Sequence, residues 1–175
     1  MKKLFILSIL ILVIITVINN NYNKVIIPKE AIRFRVIANS NSEYDQTNKK
    51  EIAKTLSTDI VEILKETSSI SDARTTLQNN LTNFEKTAKE VAKINNYKED
   101  INVDYGTHYF PEKEYKGVTY KEGEYESLVV TLGSGKGENF WCVLFPPLCL
   151  LEADEADTDK IEYKSFIKEL IGKYF

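Results

Sequence analysis

The hydrophobic pattern begins with an apolar run behind two lysines. Lys2 and Lys3 precede a stretch from Leu4 to Ile18 that only two polar residues interrupt. Its 15 residues would span about 22 Å as a helix, which is short of the roughly 30 Å of a bilayer core. A charged start followed by a short apolar stretch is typical of export signals, so a signal peptide or signal anchor is predicted over residues 1–20. No small-residue cleavage site follows, which leaves open an uncleaved membrane anchor formed by residues 4–18.

The next segments are a linker and a strand. Residues 21–30 are mostly polar and end near a proline, which predicts a linker. The stretch AIRFRVIA (31–38) then alternates: Ile32 and Phe34 share one face, and Arg33 lies on the other. Alternation of this kind predicts a half-buried strand, on which Arg33 is expected to be exposed to solvent.

Helical periodicity follows the first strand. Ser42 and Ser69 each precede an aspartate by three residues, a spacing that resembles a capping box at a helix start. Apolar residues three and four apart predict one amphipathic helix after Ser42, a second over 73–91 and a last one over 163–174.

Strand patterns dominate the stretch between the second and the last of these helices. Alternation predicts strands over 101–105, 126–132 and 140–145, with a hairpin turn around Gly123. The order of elements predicts an α+β fold, in which helices cover one face of a mostly antiparallel sheet. Residues 31–175 are expected to form this single exported domain, because the chain shows no repeats and no second linker.

Charge and composition exclude several functions. Lys2 and Lys3 account for two of the 23 basic residues, which leaves 21 against 26 acidic ones in the rest of the chain. With no long basic tract, nucleic acid is not a predicted partner. One histidine and two cysteines seven positions apart do not make a metal site, and the glycines of GSGKG match neither a phosphate loop nor a nucleophile elbow. No cofactor and no metal are predicted.

Two cysteines lie in the stretch GSGKGENFWCVLFPPLCLL (133–151). In an exported domain Cys142 and Cys149 can be oxidised to a disulfide, provided that Pro146 and Pro147 turn the chain back between them. Two alternatives remain at this point. The cysteines are buried free thiols, or one of them works with His108 in a cysteine hydrolase of the cell envelope.

Aromatic and proline residues surround these cysteines. Alternation along a strand sends Trp141 and its aromatic neighbours to both faces, and some of them are expected to be exposed beside Pro146 and Pro147. An exposed aromatic and proline surface favours a protein contact.

Three stretches resemble a known family. GSGKGENFWCVLFPPLC, IRFRVIANSNSEYDQ and GEYESLVVTLG are similar to the characteristic stretches of stage II sporulation protein R. The similarity covers essentially the whole predicted exported part. Three positions depart from the family pattern: Arg35 replaces a histidine, Asn41 an aspartate and Phe140 a tryptophan.

The resemblance implies a function. Such a protein is secreted from the forespore into the intermembrane space and meets the membrane during export. There it binds a membrane-embedded aspartic protease of the stage II sporulation protein GA type in the mother-cell membrane, and this triggers processing of pro-sigma-E. The chain would then not be an enzyme. A cell-envelope cysteine hydrolase and a peptidoglycan-binding scaffold are the alternatives. Arg33 and the turn after its strand are expected to form one docking patch. The predicted partner-binding residues are Arg33, Asn39, Ser40, Asp45, Gln46, Asn139, Trp141, Phe145, Pro146 and Pro147.

Overall fold

The computed structural model describes residues 25–115, 118–149 and 160–175, together with residue 6 and the helical residues 9–12. For residues 160–166 it describes the backbone alone. The export segment predicted over 1–20 and the anchor over 4–18 therefore lie largely outside the described residues. Among the residues that are described, no helix combines the length and the apolar content that a membrane crossing requires.

Along the described part of the chain, two strands are followed by three helices, five strands and a last helix. The helices are α1 (Glu43–Leu64), α2 (Ile70–Asn79), α3 (Leu81–Ile94) and α4 (Lys160–Tyr174). The strands are β1 (Val25–Ile26), β2 (Ile32–Ile37), β3 (Ile101–Phe110), β4 (Lys113–Tyr115), β5 (Val118–Tyr120), β6 (Gly123–Leu132) and β7 (Asn139–Phe145). The predicted α+β class is confirmed.

Two sheets form the framework. The larger sheet has the order β3-β6-β2-β7, in which β2 runs parallel to β6 and antiparallel to β7, and β3 runs antiparallel to β6. The smaller sheet has the order β1-β5-β4. β7 is an edge strand of the larger sheet, and no described strand pairs with its outer side.

Helices cover one face of the larger sheet. Phe34, Leu128 and Val130 of the sheet share a buried core with Ile52 and Leu56 of α1. Both predicted helix starts are confirmed, since Ser42 and Ser69 accept hydrogen bonds from the backbone N–H groups three residues later. Burying such apolar faces stabilises the fold by about 25 cal/mol per Å² removed from water.

The second predicted helix is in fact two helices. α2 ends at Asn79 and α3 begins at Leu81, with Asn80 between them. The Asn80 side chain donates to the carbonyl of Thr76 at 2.8 Å. An asparagine that bonds to the backbone in this way competes with helix continuation, which explains the break.

The opposite face of the sheet is also covered, which the sequence did not predict. Val25 and Ile27, inside the stretch 21–30 that was predicted as a linker, are buried in a second core with Val118 and Val143. β1 in this stretch pairs parallel to β5. The predicted hairpin around Gly123 is wrong, because Gly123 pairs with Phe110 of β3 and the β4–β5 pair is inserted between β3 and β6.

Candidate functional site

Arg33 is buried on the face of the larger sheet that carries the second core. Its residue is 2% exposed, so the expectation that it faces solvent is wrong. The guanidinium carbon lies 3.4 Å from the ring centroid of Tyr125 and 5.3 Å from that of Phe110. Burial lowers the pKa of Arg33, and the two tyrosines Tyr125 and Tyr120 oppose this shift.

The charge of Arg33 has few polar partners. Its Nη2 donates to the carbonyl of Lys121 at 3.2 Å, while Nε has no hydrogen-bond partner. Within the described part of the chain, no carboxylate lies within ion-pair distance of this arginine. A buried charge without a counter-charge is costly unless something else neutralises it.

Arg33 lines a pocket of about 600 Å³, here called the edge pocket, at the outer edge of β7. Lys50 and Lys54 of α1 line one side, and Lys113 of β4 lines the other. Asn139, Phe140, Trp141 and Cys142 of β7, together with Phe110, complete most of the wall. The volume lies within the range of about 300–1,000 Å³ that is common for ligand sites.

Trp141 is the central aromatic side chain of the edge pocket. Its ring lies 5.3 Å from the ring of Phe110, and the guanidinium carbon of Arg35 lies 4.8 Å from it. The ammonium group of Lys113 lies 5.9 Å away from the same ring. The neighbouring Asn139 has a buried Oδ1 with no hydrogen-bond partner. The pocket therefore combines aromatic surface, positive charge and polar atoms without partners.

The backbone of β7 also faces this pocket edge. The carbonyl of Glu138 accepts a hydrogen bond from Ala38, which continues β2, whereas the carbonyl of Val143 accepts one from Leu148 on the other side. Backbone groups alternate between the two sides of an antiparallel strand. The N–H and C=O groups of Asn139 and Trp141 therefore point away from β2, toward the free edge.

The predicted turn residues lie at the opposite end of β2 from Arg33. Asn39 is six residues beyond Arg33, or about 20 Å along an extended strand. Asn39 accepts a hydrogen bond from the N–H of Ser134 at 2.8 Å, and Gln46 donates to the carbonyl of Ser40 at 2.9 Å. Ser40 also donates to the carboxylate of Asp45. Arg33 and this turn do not form one surface patch, and the prediction that they do is wrong.

Glycines let this turn pack against the loop between β6 and β7. The two strands are not neighbours, so the loop crosses the end of β2. Gly137 donates to the carbonyl of Ala38 at 2.8 Å, and a Cβ at Gly137 would lie 2.3 Å from the carbonyl oxygen of Ser40. Gly133 and Gly137 of this loop therefore have a structural role, because each packs closely against the turn.

Asp45 provides the first testable prediction. Burial acts to raise the pKa of Asp45, but hydrogen bonds, that of Ser40 foremost, outweigh it and lower the pKa. A carboxylate with a lowered pKa stabilises the fold above its unfolded-state pKa, and this contribution is lost as pH falls through the folded value. We expect Asp45→Asn to be less stable than the wild type at pH 7, with the difference shrinking as pH falls below the ordinary aspartate pKa of about 4 and through the lower folded-state pKa.

Melting temperatures measured across this pH range would check it. Asp59→Asn is the control, because Asp59 is exposed on α1. A difference between Asp45→Asn and the wild type that stays constant with pH would contradict the account.

The cysteines are bridged. Cys142 and Cys149 form a disulfide with their Cα atoms 5.4 Å apart, and the described part of the chain holds no free cysteine. Phe145 and Pro146 inside the bridged loop are buried and Pro147 is half-buried. The prediction of an exposed aromatic and proline surface is therefore wrong for Phe145 and Pro146. Phe145 belongs to the first core, and its ring lies 4.9 Å from that of Tyr174.

The ring nitrogens of His108 contact a serine and an aspartate, not a cysteine. Its Nδ1 is 2.8 Å from Oγ of Ser127 and its Nε2 is 2.8 Å from a carboxylate oxygen of Asp104. Ser127 is fully buried, so its hydroxyl does not reach a substrate. With both cysteines bridged, the structure contradicts the cysteine hydrolase alternative. The described residues hold no cluster of His, Cys, Asp and Glu suited to a metal.

The structure thus brings together three of the predicted partner-binding residues. Arg33, Asn139 and Trp141 line the edge pocket, whereas the turn residues and the proline segment lie outside its lining. Sequence reasoning missed Lys50, Lys54 and Lys113 because they come from separate elements with no motif linking them. The sequence pattern also gave no sign that β1 and β5 cover the second face of the larger sheet.

The fold and the edge pocket define an α+β domain with a basic, aromatic site at the edge of a sheet. The chain belongs to the stage II sporulation protein R family, whose model matches residues 28–155, and it is therefore a sporulation protein. It is 40% identical over 136 residues to stage II sporulation protein R of Bacillus subtilis (strain 168), a match that covers 78% of this chain. The match spans 61% of that relative, or about three fifths of its length. No solved structure matches the chain.

Proposed function

We propose that this chain is an exported sporulation signal that binds and activates a membrane-embedded aspartic protease, and thereby triggers processing of pro-sigma-E. Membership of the family is the observation that carries the proposal. The basic, aromatic edge pocket supports a binding role, since it offers charge and unpaired polar atoms to a partner. Activation requires no catalysis by the chain itself, because a ligand shifts a protease toward its active state by binding that state more tightly.

The test is co-expression of this chain with the protease and pro-sigma-E in a non-sporulating host. Cleavage of pro-sigma-E is expected only when all three are present, and immunoblotting would measure it. Cleavage without this chain, or none with it, would contradict the proposal. Recovery of the purified chain on peptidoglycan, together with no cleavage, would instead support the envelope scaffold alternative.

Export provides a further prediction. Replacing Leu10 and Val13 with lysine is expected to abolish cleavage in this assay, because a charge at the middle of an apolar segment opposes insertion by about 3 kcal/mol. The exchange Leu10→Val with Val13→Leu is the matched control, since it keeps the segment apolar. Cell fractionation would show where each variant accumulates. Normal cleavage by the lysine variant would remove export from the mechanism.

A further inference from the structure

The edge pocket holds a cation that the described protein does not neutralise. Arg33 is buried, stacks on two aromatic rings and leaves Nε without a partner. Stacking on aromatic faces offsets part of the loss of hydration, but it supplies no counter-charge. An anionic group entering the pocket would supply one.

The rim of the pocket also favours an anionic group. Lys50, Lys54 and Lys113 line it against two acidic residues, Glu51 and Glu114. With Arg33, the pocket therefore carries four basic and two acidic side chains, a net charge of +2. Such a surface attracts acidic partners and repels basic ones.

The wall of the pocket is the free edge of a strand. The outward N–H and C=O groups of Asn139 and Trp141 are the groups that a further strand would pair with. Peptides that add a strand to a sheet edge gain affinity from backbone hydrogen bonds and specificity from pockets for alternate side chains. The edge pocket lies beside these groups, where one side chain of an added strand would enter it.

We propose that β7 binds an extended acidic segment of the partner protein as an added strand, with one carboxylate of that segment entering the edge pocket toward Arg33. This inference rests on the proposed function for the identity of the partner, and it names the chemistry that the partner presents. Backbone pairing selects a peptide over a small anion, and the basic rim selects an acidic peptide over a basic one.

Trp141 allows a direct binding test. It is the single tryptophan of the chain and it lines the pocket, so its fluorescence reports on occupancy. The probes are blocked hexapeptides of alternating glutamate and valine, or of alternating lysine and valine, titrated into the purified full chain at low salt. A saturable change in the Trp141 fluorescence is expected with the glutamate peptide, and no change is expected with the lysine peptide. Inorganic phosphate at the same concentrations is expected to have no effect.

Charge reversal at the rim sharpens this test. The double variant Lys54→Glu with Lys113→Glu changes two exposed side chains and should fold normally. Its affinity for the glutamate peptide is expected to fall by about tenfold or more. Lys86→Glu with Lys93→Glu, at exposed positions of α3 outside the pocket, has the same net charge and should bind as the wild type does. Equal losses of peptide affinity in both double variants would show that net charge alone causes the effect, and would overturn the proposal.

The backbone part of the proposal has its own control. Asn139→Pro removes the outward N–H and the side chain, whereas Asn139→Ala removes the side chain alone. Proline is tolerated on an edge strand where its nitrogen faces away from the sheet, so both variants should melt at similar temperatures. Weaker peptide binding by Asn139→Pro than by Asn139→Ala is expected, and equal binding would overturn strand addition.

The co-expression assay separates this inference from the proposed function. The variant Lys54→Glu with Lys113→Glu could lose binding of the glutamate peptide and still support cleavage of pro-sigma-E. That result would overturn the edge site and leave the signalling role intact. Peptide binding without any cleavage would support the edge site and reject the protease as the partner. Saturation by phosphate alone would identify a general anion site and overturn the strand.

Discussion

Replacing either Cys142 or Cys149 with alanine is expected to lower the free energy of unfolding by about 2–3 kcal/mol. The bridge closes a loop of seven residue steps around the buried Phe145 and Pro146. Removing either end frees the same loop in the unfolded chain, so the two single variants should lose similar amounts. The double variant should lose little more, because the cross-link is already absent in each single variant.

Urea denaturation under non-reducing conditions would measure these losses. Reduction of the wild type with a thiol is the control and should bring it close to the single variants. Cleavage of pro-sigma-E should decline to a similar extent in both. Loss of cleavage in Cys142→Ala alone, with Cys149→Ala fully active, would contradict a purely structural bridge and restore the thiol as a reactive group.

Replacing Gly137 with alanine is expected to destabilise the protein by about 3 kcal/mol, at the upper end of what an added methyl group does in a packed site. The new Cβ would lie 2.3 Å from the carbonyl oxygen of Ser40 and 2.8 Å from the Cβ of Ala38. The first of these contacts is with backbone, which cannot swing aside as a flexible side chain can. The loop and the turn at the end of β2 would have to separate, which would weaken the bond from Gly137 to Ala38.

Gly106→Ala is the matched control for this steric argument. A Cβ at Gly106 in β3 would meet nothing closer than 3.8 Å, and the residue does not require a left-handed backbone. Its free energy of unfolding should therefore change by less than about 1 kcal/mol. Equal urea midpoints for Gly137→Ala and the wild type would contradict this account, because the turn and the loop would then accommodate the methyl group without loss of stability.

Local patterns succeeded where one face of an element decides its structure. The starts of α1 and α2 followed from Ser42 and Ser69, because a cap depends on residues three positions apart. The alternation of β2 correctly placed Phe34 and Arg33 on opposite faces. The disulfide could also be predicted, since the prolines between Cys142 and Cys149 predict a chain reversal.

The same patterns failed where a distant segment determines the surroundings. Alternation predicts which face Arg33 occupies, but it carries no information on what covers that face. β1 covers it from a part of the chain that was predicted as a linker, and β5 from a part for which no strand was predicted. The exposure predicted for Phe145 and Pro146 was wrong for the same reason, since residues far along the chain, Tyr174 and Phe175, pack against the Phe145 ring.

The sequence by itself determined the family, the α+β class, the helix starts and the residues available for the disulfide, because each depends on neighbours along the chain or on a motif. Only the tertiary structure decided that Arg33 is buried with no carboxylate of the described residues beside it, and that Trp141 and Asn139 join it at the open edge of β7. It also decided that Lys50, Lys54 and Lys113 give this edge its charge. These properties arise from solvent exclusion and electrostatics between segments far apart in the chain, which periodicity within a single element does not encode.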